Sequence, residues 1–98
     1  MLCKDCGEDL DRYTAVNRGH ILQAPNNLNL EQLAAIPEVW LTAFQLLNFV
    51  AHVKRSETAL ILAAASGVGT SLLQLCRMQH VKTIAVASSD EKLAACRT

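Results

Sequence analysis

Neither sign of charge predominates in this 98-residue chain: nine Lys and Arg balance nine Asp and Glu, for a formal net charge of +0. A protein that tracks the phosphates of a nucleic acid is visibly positive, so no nucleic-acid partner is expected. Charge is sparse as a whole, at 18% of residues against 51% hydrophobic ones, far from the charge-rich composition of a disordered chain. Long apolar runs are missing too. The longest unbroken one is Ala59 to Ala65, and a bilayer crossing takes about 20 residues, so no membrane partner is expected. The opening residues MLCKDCGEDLD are acidic and polar, which predicts neither a secretory nor a transit peptide and a cytoplasmic location. The length allows at most one small domain, which would leave about 40% of its extended surface in water even when folded.

A complete metal-ligand set is also lacking. Cys3 and Cys6 form a C-x-x-C followed by Gly7, one knuckle of a zinc ribbon, but Cys76 and Cys96 are not a second one, and His20, His52 and His80 are scattered. Half a set of ligands holds no zinc tightly, so no metal site is expected. The acids around Cys6 would repel a thiolate, which argues against a redox pair. Cys76 reads as a small buried hydrophobe on a helix.

Residues 1–12 read as a polar tail. Tyr13–Val16 and His20–Gln23 look like short strand pieces about an Asn17-Arg18-Gly19 turn, and Pro25-Asn26-Asn27 breaks the chain. Asn29 predicts a helix N-cap, with Gln32 completing a capping box over Leu30, Leu33 and Ile36. This helix should end near Pro37, which suits the first turn of the next one, Val39–Val53. There Thr42, Gln45, Asn48 and His52 form one polar stripe, either a solvated face or an edge aimed at a ligand. Past the charged turn Lys54–Glu57, Ala59–Ala63 predicts a parallel strand covered on both faces. Gly67–His80 is helical in spacing, with Val68, Leu72, Leu75, Cys76 and Gln79 on the side opposite Thr70, Gln74 and Arg77. Lys82–Ala87 predicts a second strand, and Ser88 or Ser89 caps a last helix. Thr58–Ala87 is thus one βαβ unit.

The chemistry-bearing segment lies between that first strand and its helix: Ala63-Ala64-Ala65-Ser66-Gly67-Val68-Gly69-Thr70. A dinucleotide fold needs small residues here so that the chain turns sharply, its backbone reaches a pyrophosphate, and helix packs on strand. The helix N-terminus then offers free N–H groups to the phosphates. Against G-x-G-x-x-G, the glycine positions fall on Ala64, Ser66 and Gly69, with Gly67 added. An NAD site places an acid at the tip of the second strand, about 20 residues on. Here the tip is Val86-Ala87-Ser88-Ser89, with Lys92 one helical turn later. Hydroxyls and a lysine without a carboxylate favour a 2′-phosphate, hence NADP over NAD.

The segments PEVWLTAFQLL, ETALILAAASGVGTSLLQLCRM and TIAVASSDEKL resemble the zeta-crystallin-like quinone oxidoreductases of the medium-chain dehydrogenase/reductase superfamily, most of all its tumour-suppressor-inducible branch. The resemblance covers residues 13–98. It implies an α/β fold, a partial Rossmann unit taken from an enzyme with GroES-like and Rossmann domains. On this likeness residues 13–28 are an edge of the catalytic domain and residues 29–98 the first part of the NADP-binding domain. It further implies NADPH as cofactor, a quinone as substrate, no zinc, and a homodimer. Ser66, Gly67, Val68 and Gly69 would cradle the pyrophosphate, Ser88 and Lys92 would meet the 2′-phosphate ribose, and Thr42 would lie near the nicotinamide. Family members are several times longer, and two of their turn glycines are Ser56 and His80 here. A left-handed residue at His80 would cost about 1 kcal/mol relative to Gly.

Two functions therefore stand beside each other. One is an NADPH-dependent quinone oxidoreductase. The other is a non-enzymatic product that keeps a partial nucleotide site or binds a full-length partner, since half a cleft cannot align hydride donor and acceptor. No general acid or nucleophile is expected among these residues, His52 included.

Overall fold

The computed structural model describes residues 2–3 and 15–97, in two compact units, Met1–Glu38 and Val39–Thr98. Cys6 and Tyr13 lie outside the described residues, as do the side chains of the first fourteen.

In the first unit, β1 (Leu2–Cys3) pairs antiparallel with β2 (Ile21–Leu22), in register Leu2 with Leu22 and Cys3 with Ile21. Residues 2 and 3, expected in a tail, are therefore strand. The anticipated turn at Asn17 is a 3-10 turn over Arg18–His20, capped by the Asn17 side chain accepting from the Gly19 N–H at 2.9 Å.

Helix α1 (Leu30–Gln45) starts on the capping box that the sequence predicts. Asn29 Oδ1 accepts from the Gln32 N–H at 2.8 Å, and Gln32 Oε1 accepts from the Asn29 N–H at 3.0 Å. The expected break at Pro37 does not occur, because α1 runs through it. A proline inside a helix removes one backbone bond but leaves the flanking turns free to continue. Here the cap holds one end, while Ala43 and Leu47, both buried in the core of the second unit, hold the other. The boundary between the two units falls just after this proline.

After Gln45 the helix widens into a π turn over Leu46–Val50, where the Ala51 N–H reaches the Leu46 carbonyl at 2.9 Å. Asn48 Nδ2 donates to the Phe44 carbonyl at 3.0 Å, occupying an acceptor in the widened turn. The helical reach Leu30–Val50, 21 residues with mean hydropathy 1.4, is long and apolar enough to cross a membrane by length and composition. Unbroken runs conceal this, because Thr42, Gln45 and Asn48 interrupt them. A core helix passes the same test, and Ala43 and Leu47 pack with Ile61, Leu75 and Cys76.

The second unit is built on two parallel strands, β3 (Thr58–Ile61) and β4 (Lys82–Ala85), paired Thr58 with Lys82 through Ile61 with Ala85. Helix α2 (Gly67–Met78) connects them and α3 (Asp90–Arg97) follows. This is the expected α/β arrangement, a parallel strand pair joined by a crossover helix. Both strands stop short of their predicted ends. At β3 the cause is Ala63, whose φ of 50° turns the chain within Leu62–Ala65. The ladder still extends past β4, since the Val86 N–H donates to the Ile61 carbonyl and the Ala64 N–H to the Val86 carbonyl, both at 2.9 Å.

The α2 periodicity holds. Leu75 and Cys76 are buried, Val68 and Leu72 pack against them, and Thr70, Gln74 and Arg77 face solvent. Coverage of the sheet differs from expectation. Ile61 is buried beneath α2, whereas Leu60 and Ile84, partners across the ladder on the opposite face, are 62% and 55% exposed. One face of this pair is therefore open rather than covered.

Candidate cofactor-binding site

The two strand-to-helix corners come together at the carboxyl ends of β3 and β4, where ligands sit in open α/β sheets. Between them is a cleft of about 460 Å³ lined by Ala63, Ala65 and Ser66 on one side and Val86, Ala87, Ser88 and Lys92 on the other. That volume suits a small ligand or one portion of a larger cofactor.

The first corner is shaped by close backbone approach. A Cβ on Gly69 would lie 2.5 Å from the Ala63 carbonyl oxygen and 2.7 Å from the Ala64 Cα, so only glycine fits. This is the helix-on-strand packing that the third fingerprint glycine provides. A Cβ on Gly67 would come within 3.2 Å of Val39 Cγ1 on α1. Ser66 caps α2, its Oγ accepting from the Gly69 N–H at 3.1 Å, while its own N–H donates to the Ala63 carbonyl at 2.9 Å. The Thr70 N–H bonds the Ser66 carbonyl. Among the described residues, the N–H groups of Gly67 and Val68 find no acceptor, and they are the free donors of this helix start.

At the second corner, Ser89 caps α3, with the Lys92 N–H 3.4 Å from its Oγ and the Leu93 N–H bonded to its carbonyl. That leaves Ser88 free of capping duty. Lys92 Nζ donates to Ser88 Oγ at 3.1 Å, fixing an ammonium and a hydroxyl side by side. No carboxylate lines the cleft among the described residues. Asp90 and Glu91 occupy the first turn of α3, where they complement the helix dipole.

Of the residues singled out in the sequence, Ser66, Ser88 and Lys92 line this one cleft. Gly67 and Val68, the first two residues of α2, follow Ser66 directly but are not among the lining residues. Gly69 is buried, and its N–H is engaged by Ser66. Thr42 does not line the cleft. It is half-buried on α1, one turn beyond Val39. The polar stripe on that helix has a structural use as well: Asn48 Oδ1 accepts from Gln79 Nε2 at 3.2 Å, tying the π turn to the end of α2. His52 is exposed. Two features escaped the sequence reading. Ala63 adopts a left-handed conformation in the cleft wall, and Ser71, 2% exposed, donates from its Oγ to the Gly67 carbonyl at 3.0 Å. A buried serine one turn into a glycine-led helix was the available signal for the second. A left-handed alanine leaves none.

No family model matches the chain. Among curated proteins it is similar to a reducing polyketide synthase of Cochliobolus heterostrophus, 35% identical over 68 residues, which are 69% of this chain and 3% of the synthase. It is also similar to a quinone oxidoreductase of Pongo abelii, 34% identical over 71 residues, which are 72% of this chain and 22% of that protein. Among solved structures, the quinone oxidoreductase of Thermus thermophilus, determined also in complex with NADPH, superposes with a TM-score of 0.80 at 36% identity, over 86% of this chain and 28% of that one. The CurK enoyl reductase superposes with a TM-score of 0.72 at 29% identity, over 80% and 24%. The chain therefore spans well under a third of the length of these relatives. The solved neighbours thus include a quinone oxidoreductase and an enoyl reductase.

Proposed function

We propose that this chain is an NADPH-binding portion of a reductase that transfers hydride to a conjugated carbonyl compound, with a quinone as the substrate class. The observation that carries the reading is the cleft at the carboxyl ends of β3 and β4, where Ser66 and the Ser88–Lys92 pair face one another without a carboxylate. The residues fit the cofactor at two places. The unpaired amides of Gly67 and Val68 lie at the positive end of α2, where a pyrophosphate is favoured. Lys92, held by Ser88, offers a cation to a 2′-phosphate, and the missing strand-tip acid spares that phosphate a repulsion.

When bound, NADPH supplies the hydride, and the protein supplies position and electrostatics. Gly69 lets α2 seat against the turn that follows β3, with Gly67 and Val68 in its first turn. Ser66 holds the first turn of α2 by its cap. Thr42 is assigned to the nicotinamide end by likeness to the family. The likeness to quinone oxidoreductases from two sources supports a quinone, and the likeness to an enoyl reductase supports a conjugated acyl group as the alternative acceptor. Both acceptors take hydride at a carbon conjugated to a carbonyl.

A second reading, nucleotide binding without turnover, is favoured by the lining itself: among the described residues no carboxyl, imidazole or phenol lines the cleft to serve as a general acid, and its one ammonium, Lys92, is engaged with Ser88. A homodimer and a cytoplasmic location follow from the family likeness and belong to the first reading.

Titration of the purified chain with NADPH and with NADH, followed by nicotinamide fluorescence, tests the binding. Saturable binding with NADPH at least about tenfold tighter is expected from one charge-assisted contact. No saturation with either nucleotide, or tighter NADH, overturns the reading. Adding a quinone and following absorbance at about 340 nm, the reduced nicotinamide band, then separates the reductase from the binder.

A further inference from the structure

A second cavity, of about 470 Å³, opens at the other end of the parallel pair, between the latter half of α2, the start of β4 and the end of α3. Its wall carries Arg77, Lys82 and Arg97, and among the described residues no carboxylate lines it. This is a local excess of positive charge on a chain whose charges otherwise balance. All three side chains are exposed, and none has an ion-pair partner among the described residues.

The ordinary explanation for a basic residue in the last turn of a helix is the dipole, and Arg77 and Arg97 each hold that place. It does not explain their convergence. At the end of α2 the carbonyls of Leu75, Cys76 and Arg77 are already bonded, by the N–H groups of Gln79, Val81 and His80 at 2.9 to 3.2 Å. The Arg77 guanidinium is therefore not consumed as a cap. Lys82 is the first residue of β4, where no helix dipole acts on it in its own element. Leu73 and Val81 give the cavity an apolar floor, and Gln74 and Thr83 add uncharged donors. Two forked guanidinium groups and an ammonium over a partly apolar floor fit phosphoryl oxygens, which take several charge-assisted donors at once.

We propose that this cavity binds a small phosphorylated ligand, its phosphoryl groups held by Arg77, Lys82 and Arg97. The site lies apart from the cofactor cleft and shares no residue with it, so it stands whether or not NADPH binds. Cys96, half-buried in the same wall, provides a reporter.

Inorganic diphosphate is the probe. Alkylation of Cys96 by iodoacetamide, located by mass spectrometry of the whole chain, is timed with and without it, against sodium chloride at matched ionic strength. Diphosphate is expected to slow the reaction several-fold where chloride does not. The R77Q/R97Q variant should need at least about tenfold more diphosphate for the same protection, and Lys92→Gln should leave the protection unchanged. Should the double variant lose its circular dichroism spectrum, Lys82→Gln alone, on an exposed side chain, reads the same loss. Equal protection by chloride, no protection by diphosphate, or protection lost with Lys92→Gln and kept in R77Q/R97Q would each overturn the site.

Discussion

Ser56 and His80 both hold left-handed backbone, with φ of 72° and 56°, and are joined to each other: the Ser56 N–H donates to the His80 carbonyl at 3.1 Å. The turn before β3 and the turn after α2 are thereby clasped just outside the first pair of the parallel ladder. The Lys82 N–H bonded to the Glu57 carbonyl at 2.9 Å lies beside this clasp. An L-residue at positive φ pays a steric cost that glycine does not.

Ser56→Gly and His80→Gly should therefore each stabilise the chain, by about 0.5–1 kcal/mol after the greater freedom of an unfolded glycine is counted. Urea denaturation followed by circular dichroism measures this as a higher midpoint at unchanged slope. A lower midpoint for both would mean that the serine and histidine side chains contribute more than the strain costs.

Gly69 calls for the opposite sign. Its missing Cβ would strike the Ala63 carbonyl oxygen and the Ala64 backbone, neither of which can swing aside as a side chain can. Gly69→Ala should destabilise by roughly 1–3 kcal/mol and Gly69→Val by more. The loss appears in thermal melts without any nucleotide present. A Gly69→Val chain with an unchanged melting temperature would move this residue from the packing to the ligand.

The parts of this chain that follow a period or a cap were legible in the sequence. The Asn29–Gln32 box, the buried side of α2 and the two parallel strands depend on neighbouring residues, and the sequence holds those in order. Elements that answer to tertiary contacts were hidden. The passage of α1 through Pro37 depends on Ala43 and Leu47 being anchored in the core, and the turn at Ala63 depends on α2 pressing against it through Gly69. The cleft was legible only in part. Ser66, Ser88 and Lys92 lie within three or four residues of glycine or helix-start signals, whereas Thr42 was linked to the site by likeness alone and does not line it.

Lys92 bears on the choice of nucleotide. Its ammonium is exposed but held to Ser88 Oγ at 3.1 Å, so it is oriented before a ligand arrives. Lys92→Gln keeps a donor and removes the charge. Affinity for NADPH should fall about tenfold or more while affinity for NADH stays level, since only the former carries the 2′-phosphate. Parallel losses for both nucleotides would show that Lys92 acts on a part of the cofactor common to the two.

The last prediction concerns pH. Cys76 is fully buried in the core of the second unit, and burial pushes its thiol above the ordinary 9.0. The charged form is thus disfavoured in the folded chain but not in the unfolded one. Below the unfolded value both states hold the proton, and the contribution of this group is constant. As pH rises past that value the unfolded state releases its proton first, binds fewer protons than the native state, and is lowered in free energy relative to it, so stability falls. Denaturation midpoints should show no change from this thiol between pH 6 and 8, and a decline above 9.0. Cys76→Ala removes the titrating group: it should lower the midpoint at neutral pH through lost packing and flatten the alkaline decline. A decline of the same depth in that variant would assign it to another group, since the buried thiol could then contribute nothing to it.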